Sequence, residues 1–172
     1  VIGNPPYIGE KGNKEIIRPI AQGNLKVYYQ GKMDIFYFFF HLALIIGKAK
    51  SLTAFINTNY YITATGGLKL RKDLKANSTI LQLINFNELK IFDSAKGQHN
   101  LIAIFQKGLN ENIKTKTIQT KRKGKATPEL LKNILESKDL TDSSYQEISY
   151  DKLFDGKECY IRFSGGGVIY EK

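Results

Sequence analysis

The chain of 172 residues has one cysteine, no tryptophan, two histidines and four prolines. A lone thiol, Cys159, cannot close a disulfide within the chain. Two distant histidines, His41 and His99, lack the spacing of a ligand set, so no metal site is expected. Long apolar runs are missing too. The longest, Ile35 to Ile46, is bracketed by Lys32 and Lys48 and falls well short of the roughly 20 residues a bilayer crossing needs. It reads as a buried helix. No charged-then-apolar leader opens the chain, and an intracellular globular protein without membrane contact is expected.

Acidic residues are also scarce beside the basic ones: 16 against 26, for a net charge of +10. The excess is uneven, with 14 basic and 6 acidic side chains in residues 1–107 but 12 and 10 in residues 108–172. A surplus of this kind suits a polyanionic partner, whose neutralised phosphates release counterions. A lysine-rich surface without a partner is the plainer alternative.

Two of the four prolines stand together in the opening Val1-Ile2-Gly3-Asn4-Pro5-Pro6-Tyr7. Val1-Ile2-Gly3 looks like the end of a buried strand, and a fragment of something longer is expected. Each proline fixes its own backbone angle and restricts the residue before it, so the carbonyls that follow the strand have set directions. The Asn4 side-chain oxygen and the Pro5 carbonyl can then converge as two acceptors for an amino group, beside the flat face of Tyr7. Such a pair stabilises the charge that develops when a ring-bound amine attacks an electrophilic methyl. A tight loop in which Asn4 bonds only its own backbone fits the same residue types.

Farther along, residues 8–33 read as a long loop with one short helical turn at Lys14 to Arg18. Asp34 stands where an N-cap belongs and Gly47 where a helix ends. Leu52 to Asn57 is a short strand, Asn59 to Ile62 a loop, and Gly66-Gly67 precede a basic helix from Leu68 to Leu74. Thr79 to Phe86 and Leu101 to Phe105 are strands joined by the loop 87–100. Strands alternating with helices predict an α/β fold, a mostly parallel sheet whose last strand is antiparallel. Ligands in such sheets gather at the carboxyl ends of strands, where Asn4 to Tyr7, Asn59 to Tyr61 and the loop after Phe86 would lie.

Beyond Lys107, six basic residues from Lys114 to Lys125, among them Lys121, Arg122 and Lys123, occur without one acid. This predicts a catalytic part over 1–107, a basic linker over 108–127 and a further module over 128–172. The module would begin with a helix from Glu129 to Glu136 and continue as a small irregular α+β tail that completes no core. Gly165-Gly166-Gly167 lacks the lysine and serine of a phosphate loop and reads as a flexible turn. His41 is expected in the core, and His99 in a surface role or in contact with a polyanionic partner.

Asn4-Pro5-Pro6-Tyr7 resembles the catalytic motif of adenine-specific DNA methyltransferases of bacterial restriction-modification systems, in particular the TaqI-like group and its type IIG relatives. Lys32 to Phe36, Ala54 to Tyr61, Leu70 to Leu74, Ile91 to Ser94 and Asn100 to Lys107 are similar as well and stand in that family's order. The resemblance covers residues 1–107. It implies the C-terminal half of a Rossmann-like sheet and transfer of a methyl group from S-adenosylmethionine to N6 of an adenine flipped out of double-stranded DNA. Asn4 and the Pro5 carbonyl would hold the amino group, Tyr7 and Phe92 would contact the ring, and Asn4 and Phe39 would lie nearest the cofactor. Lys11, Lys14, Arg18, Lys121, Arg122 and Lys123 would contact phosphates, with residues 128–172 lying where the family places DNA recognition. A bacterial cytoplasmic location follows from the same resemblance.

The family's glycine-rich cofactor loop and acidic cofactor residues precede the motif, whereas here only Val1-Ile2-Gly3 does. The expectation is therefore a catalytic half that needs an N-terminal portion of the same polypeptide and is inactive by itself. Protein glutamine methyltransferases share Asn-Pro-Pro-Tyr, because a side-chain amide presents a similar NH2. The long basic insertion before Asp34, the Phe92 segment and the tail past Lys107 speak against them. A non-catalytic DNA-binding module of the same fold is the other alternative.

Overall fold

The computed structural model describes residues 1–93 and 99–164. Ser94, part of the family-like segment, and the glycine triplet Gly165-Gly166-Gly167 lie outside the described residues. The chain begins with β1 (Ile2–Gly3) and helix α1 (Lys14–Gln22), followed by α2 (Ile35–Ile46), β2 (Leu52–Thr58), α3 (Leu68–Asn77) and β3 (Ser78–Asn85). Short β4 (Leu89–Lys90) precedes β5 (Asn100–Lys107), β6 (Thr115–Thr120) and short β7 (Gly124–Lys125). The remaining elements are α4 (Pro128–Leu135), β8 (Ser143–Ile148), α5 (Tyr150–Leu153), β9 (Phe154–Asp155) and β10 (Tyr160–Ile161).

Six strands form one sheet in the order β1-β2-β5-β3-β6-β8. β1 pairs parallel with β2 and β3 with β6, while β5 runs antiparallel between β2 and β3, and β8 antiparallel to β6. Thus β1, β2, β3 and β6 point one way, the mostly parallel α/β sheet that was expected. Their carboxyl ends share an edge with the start of β5. The segments after Gly3, Thr58, Asn85 and Thr120 all leave from that edge, and ligand sites of open α/β sheets lie there.

α2 is apolar nearly all round, as suits a helix enclosed on several sides. Its Phe36 and Phe40 are fully buried, and Phe40 stacks on Phe105 of β5 with ring centroids 5.4 Å apart. Each such ring removes enough apolar surface from water to contribute about 1.5–3 kcal/mol. His41 is buried in this core as expected, with Nδ1 2.5 Å from Asp73 Oδ2 and its ring stacked on Tyr28 at 4.0 Å.

Four expectations are corrected. Helix α1 is longer than a turn and runs through Pro19. Pro19 is exposed, so the Glu15 carbonyl it leaves without an amide can reach water. Ile17 points inward and is fully buried, which ties the helix to the core. The supposed loop at Asn59 to Ile62 is a 3-10 turn. Residues 108–127 are more than a linker, because β6 lies among them and joins the main sheet between β3 and β8. Polar composition hid this strand. Its inward threonines are satisfied by carbonyls, Thr115 Oγ1 donating to Ile80 O at 2.7 Å and Thr117 Oγ1 to Phe163 O at 3.0 Å.

Residues 128–164 likewise help to complete two cores. Ile134 of α4 packs with Ile84, Phe86, Leu89 and Ile118, while Ile148, Leu153, Phe154 and Ile161 join the α2 core. Arg122 anchors this region by donating to Asp139 Oδ1 at 2.6 Å, and Ser143 Oγ donates to Asp139 Oδ2 at 2.7 Å. The Arg122 guanidinium, more than the serine, holds the Asp139 carboxyl below the usual range against the opposing effect of burial. Since the folded value is the lower one, the stabilisation is present above the unfolded value and is lost as pH falls through the folded one. In urea titrations Asp139→Asn is expected to be less stable than wild type at pH 7, with the difference closing toward pH 3.

The turn ahead of α3 is closely fitted. A Cβ at Gly66 would lie 1.9 Å from the Lys32 carbonyl oxygen, and one at Gly67 would lie 2.5 Å from the Tyr61 carbonyl oxygen. Arg71, fully buried, donates from Nη1 to Tyr61 O and Ala64 O at 2.7 Å each and from Nε to Glu158 O at 2.9 Å. Gly66→Ala must push the Lys32 strap away and is expected to cost about 1–3 kcal/mol in urea denaturation.

Candidate active site

Asn4 leaves the carboxyl end of β1 exposed, and Pro5 behind it is buried. Among the described residues no hydrogen bond engages the Asn4 side chain or the Pro5 carbonyl. The loop alternative, with Asn4 closing on its own backbone, is therefore not what the chain adopts. Both acceptors remain available at a groove of about 300 Å³, whose lining includes Asn4, Pro5, Phe39, Ala43 and Phe55. Phe39, partly exposed at 38%, comes from α2 and stands in the same groove as Asn4.

Tyr7 is half-buried and fixed at both ends. Its hydroxyl donates to Ile56 O at 3.0 Å, and its ring meets Phe36 edge-on with centroids 6.1 Å apart. Burial pushes the phenol up to about 12, with the Asn100 amide partly offsetting the shift, so Tyr7 stays protonated at neutral pH. The next residue is held from the other side: Ile8 N donates to Asp34 Oδ1 at 3.0 Å, and the same oxygen accepts from Phe36 N at 3.4 Å as the cap of α2. Burial raises the Asp34 carboxyl above its ordinary value, and these amide bonds counteract only part of that.

Lys11 and Lys14 line a second groove of about 700 Å³ together with Lys32, Asp34, Tyr37 and Tyr60. Arg18 sits apart from it, on the side of α1 that carries Ala21 and Gln22. Lys121, Arg122 and Lys123 follow β6 at the site edge, but two of the three are engaged by acids. Arg122 pairs with Asp139 and Asp142, and Lys123 with Glu88 at 2.9 Å. Lys125 similarly holds Asp93 at 2.9 Å.

The Lys123–Glu88 and Lys125–Asp93 pairs, with the β4–β7 ladder and Ala126 N donating to Lys90 O at 3.0 Å, staple the segment that carries Phe92 to the chain after β6. Phe92 itself is half-buried and does not line the Asn4 groove. Asn4, Pro5 and Phe39 are thus brought together, Tyr7 lies next to them in the chain, and Phe92 approaches the shared edge from another strand.

Comparison with known proteins decides the family. The model of the Eco57I restriction-modification methylases matches residues 1–92. The chain belongs to that family. Type II methyltransferase M.HincII of Haemophilus influenzae is 32% identical over 126 residues, which cover 70% of this chain and 24% of the relative. This Eco57I-family chain thus spans about a quarter of that relative's length.

Solved structures of restriction-modification proteins share its fold. The methyltransferase subunit of a type I restriction-modification system from Streptococcus thermophilus has a TM-score of 0.60 at 14% identity, covering 89% of this chain and 34% of that one. A nuclease-deletion mutant of the Type ISP enzyme LlaGI, solved with a DNA substrate mimic, gives 0.61 at 18%, covering 93% and 17%. No helix among the described residues is long and apolar enough to cross a membrane.

The Tyr7 tether was not visible from the sequence, because its acceptor is a backbone carbonyl on a strand 49 residues away. Tyr7→Phe removes the donor and keeps the ring. It is expected to lower stability by about 1 kcal/mol in chemical denaturation, the net worth of one such bond.

Proposed function

We propose that the chain is the catalytic half of a DNA adenine-N6 methyltransferase of a restriction-modification system, acting on an adenine flipped out of the duplex. The observation that carries this reading is the open acceptor pair, Asn4 Oδ1 and Pro5 O, on a rigid turn at the carboxyl end of β1. An exocyclic amine has two hydrogens to donate and a lone pair delocalised into its ring. Accepting both hydrogens favours a pyramidal nitrogen and offsets the positive charge that grows as it attacks.

Asn4 and Pro5 bind and orient the amino group. Tyr7, pinned by Ile56 and Phe36, offers its ring to a base lifted from the stack, and Phe92 adds a second aromatic contact from the stapled segment. No strong base is required for the attack, consistent with Tyr7 holding its proton.

S-adenosylmethionine, when bound, supplies an electrophilic methyl on a sulfonium. The groove beside Asn4 fits part of such a molecule: Phe39 and Phe55 offer apolar faces for a flat ring, and Asn4 provides the polar rim. Residues that hold the remainder of the cofactor are proposed to come from sequence preceding the motif. Lys11 and Lys14 are proposed as phosphate contacts, whereas the pairing of Arg122 and Lys123 with acids favours a structural part for those two. Residues 128–164 are proposed to open the DNA-recognition region while being packed against the catalytic sheet.

The test is Asn4→Ala in the protein carried in its complete reading frame and expressed in a methylation-deficient bacterium. N6-methyladenine in host DNA, read by mass spectrometry, is expected to fall at least about 100-fold, as when one preorganised polar partner of a transition state is removed. Methylation at the wild-type level would reject the reading.

A further inference from the structure

The 700 Å³ groove holds an aromatic ring that none of the catalytic roles uses. Tyr60 follows β2 at the shared carboxyl edge and is half exposed, at 50%. Its ring lies 6.2 Å from that of His99, across the start of β5. The backbone beneath it is held from several directions. Asn59 N donates to His99 O at 2.8 Å, Ala64 N to Tyr60 O at 2.8 Å, and the buried Arg71 grips the Tyr61 and Ala64 carbonyls. A large ring on a fixed backbone loses little freedom when a partner stacks on it.

The charges around this ring are arranged for an anion. Glu10 and Asp34 line the groove too, but the oxygens of both are engaged by protein donors, and the Tyr29 hydroxyl, helped by the nearby charge of Lys14, lowers the Glu10 carboxyl below its ordinary value. Glu10 accepts from the Tyr29 hydroxyl at 2.5 Å and from Met33 N at 3.3 Å, and Asp34 is committed to Ile8 and Phe36. No carboxylate lies within 4.0 Å of Lys11, Lys14 or Lys32 among the described residues, in contrast with Arg122, Lys123 and Lys125. Lys32 also sits in the left-handed region at φ 54, a conformation strained for a non-glycine residue and concentrated at functional positions. Gly66 packs against its carbonyl and holds it there.

We propose that this groove binds an unstacked nucleotide of DNA beside the methylation target, its base stacked on Tyr60 and its phosphate on Lys11, Lys14 and Lys32. The inference rests on the DNA reading of the chain but not on methyl transfer. Stacking on an aromatic side chain tolerates any base, so Tyr60 would hold the distorted strand open without selecting sequence.

Binding of the full 172-residue chain to a fluorescein-labelled, mixed-sequence single-stranded oligonucleotide, followed by anisotropy at low salt, tests it. Tyr60→Ala is expected to weaken binding about 10-fold and Tyr60→Phe to retain wild-type affinity, since the ring is what stacks. A triple Lys11→Gln, Lys14→Gln, Lys32→Gln variant is expected to weaken binding and flatten its salt dependence.

Equal affinity of Tyr60→Ala and wild type would overturn the stacking role. If only the lysine variant loses affinity, the stacking proposal fails while the DNA reading stands. Absence of binding by the unsubstituted chain rejects the proposal outright, whereas the methylation assay on Asn4 decides the catalytic reading separately. Circular dichroism spectra matching wild type keep a folding defect from passing as a binding one.

Discussion

The site depends on one carboxylate. Asp34 accepts from Phe36 N to start α2 and from Ile8 N to hold the residue that follows the Asn-Pro-Pro-Tyr turn. Two flanking backbone bonds, Ile35 N to Ile8 O and Glu10 N to Met33 O, extend this into a short clasp between segments 26 residues apart. Because the cap and the clasp share an oxygen, the turn cannot shift without disturbing the first turn of the central helix. Tyr7 is thereby placed between Phe36 of α2 and the end of β2, and its ring and the acceptors before it keep a fixed relation.

Burial makes that carboxylate worth its ionised form only while the amides are present. Water is largely replaced around it, which is why its proton affinity is raised, and its charge must be answered by oriented N–H groups. The second groove shows the complementary use of charge. Glu10 and Asp34 accept from protein donors, and three lysines at the rim have no carboxylate within 4.0 Å among the described residues. Farther along the same edge, Lys123 and Lys125 after β6 are spent on acids of the Phe92 segment. Two lysine-rich stretches that look alike in sequence thus differ in surroundings: one faces a groove, the other joins two loops. Exposed pairs of this second kind add little stability each, but several together can set the position of a loop.

What the sequence discloses follows from how local each signal is. Asp34, the apolar run and Gly47 lie within one helix, so α2 and its limits were readable, as were the strands whose apolar residues cluster. The proline pair restricts its own backbone, so the rigid turn was readable as well. β6 is not legible locally because its buried positions include threonines whose hydroxyls find carbonyls on other elements, Ile80 and Phe163, and no local pattern announces that satisfaction. Helix α1 is hard to read locally because glycine, lysine and tyrosine mix over 8–33 without a sustained period, and the burial of Ile17 that ties the helix down is a tertiary contact. The ion pairs of Arg122, Lys123 and Lys125 depend on partners from 17 to 35 residues away and on sheet order, which composition cannot give.

The antiparallel strand β5 explains why so many of these long-range contacts meet at one place. Inserted between β2 and β3, it turns the chain back so that its first residue, Asn100, sits opposite Thr58 and beside Phe86, at the edge where the parallel strands end. The carbonyl of His99 can therefore hold Asn59, and the loop after β3 must pass over the same edge to reach it. A purely parallel order would send that connection to the opposite end of the sheet as a crossover. The reversal brings the Phe92 segment, the Tyr60 turn and the Asn4 turn to a common rim, and the chemistry proposed for the chain requires all three to be there.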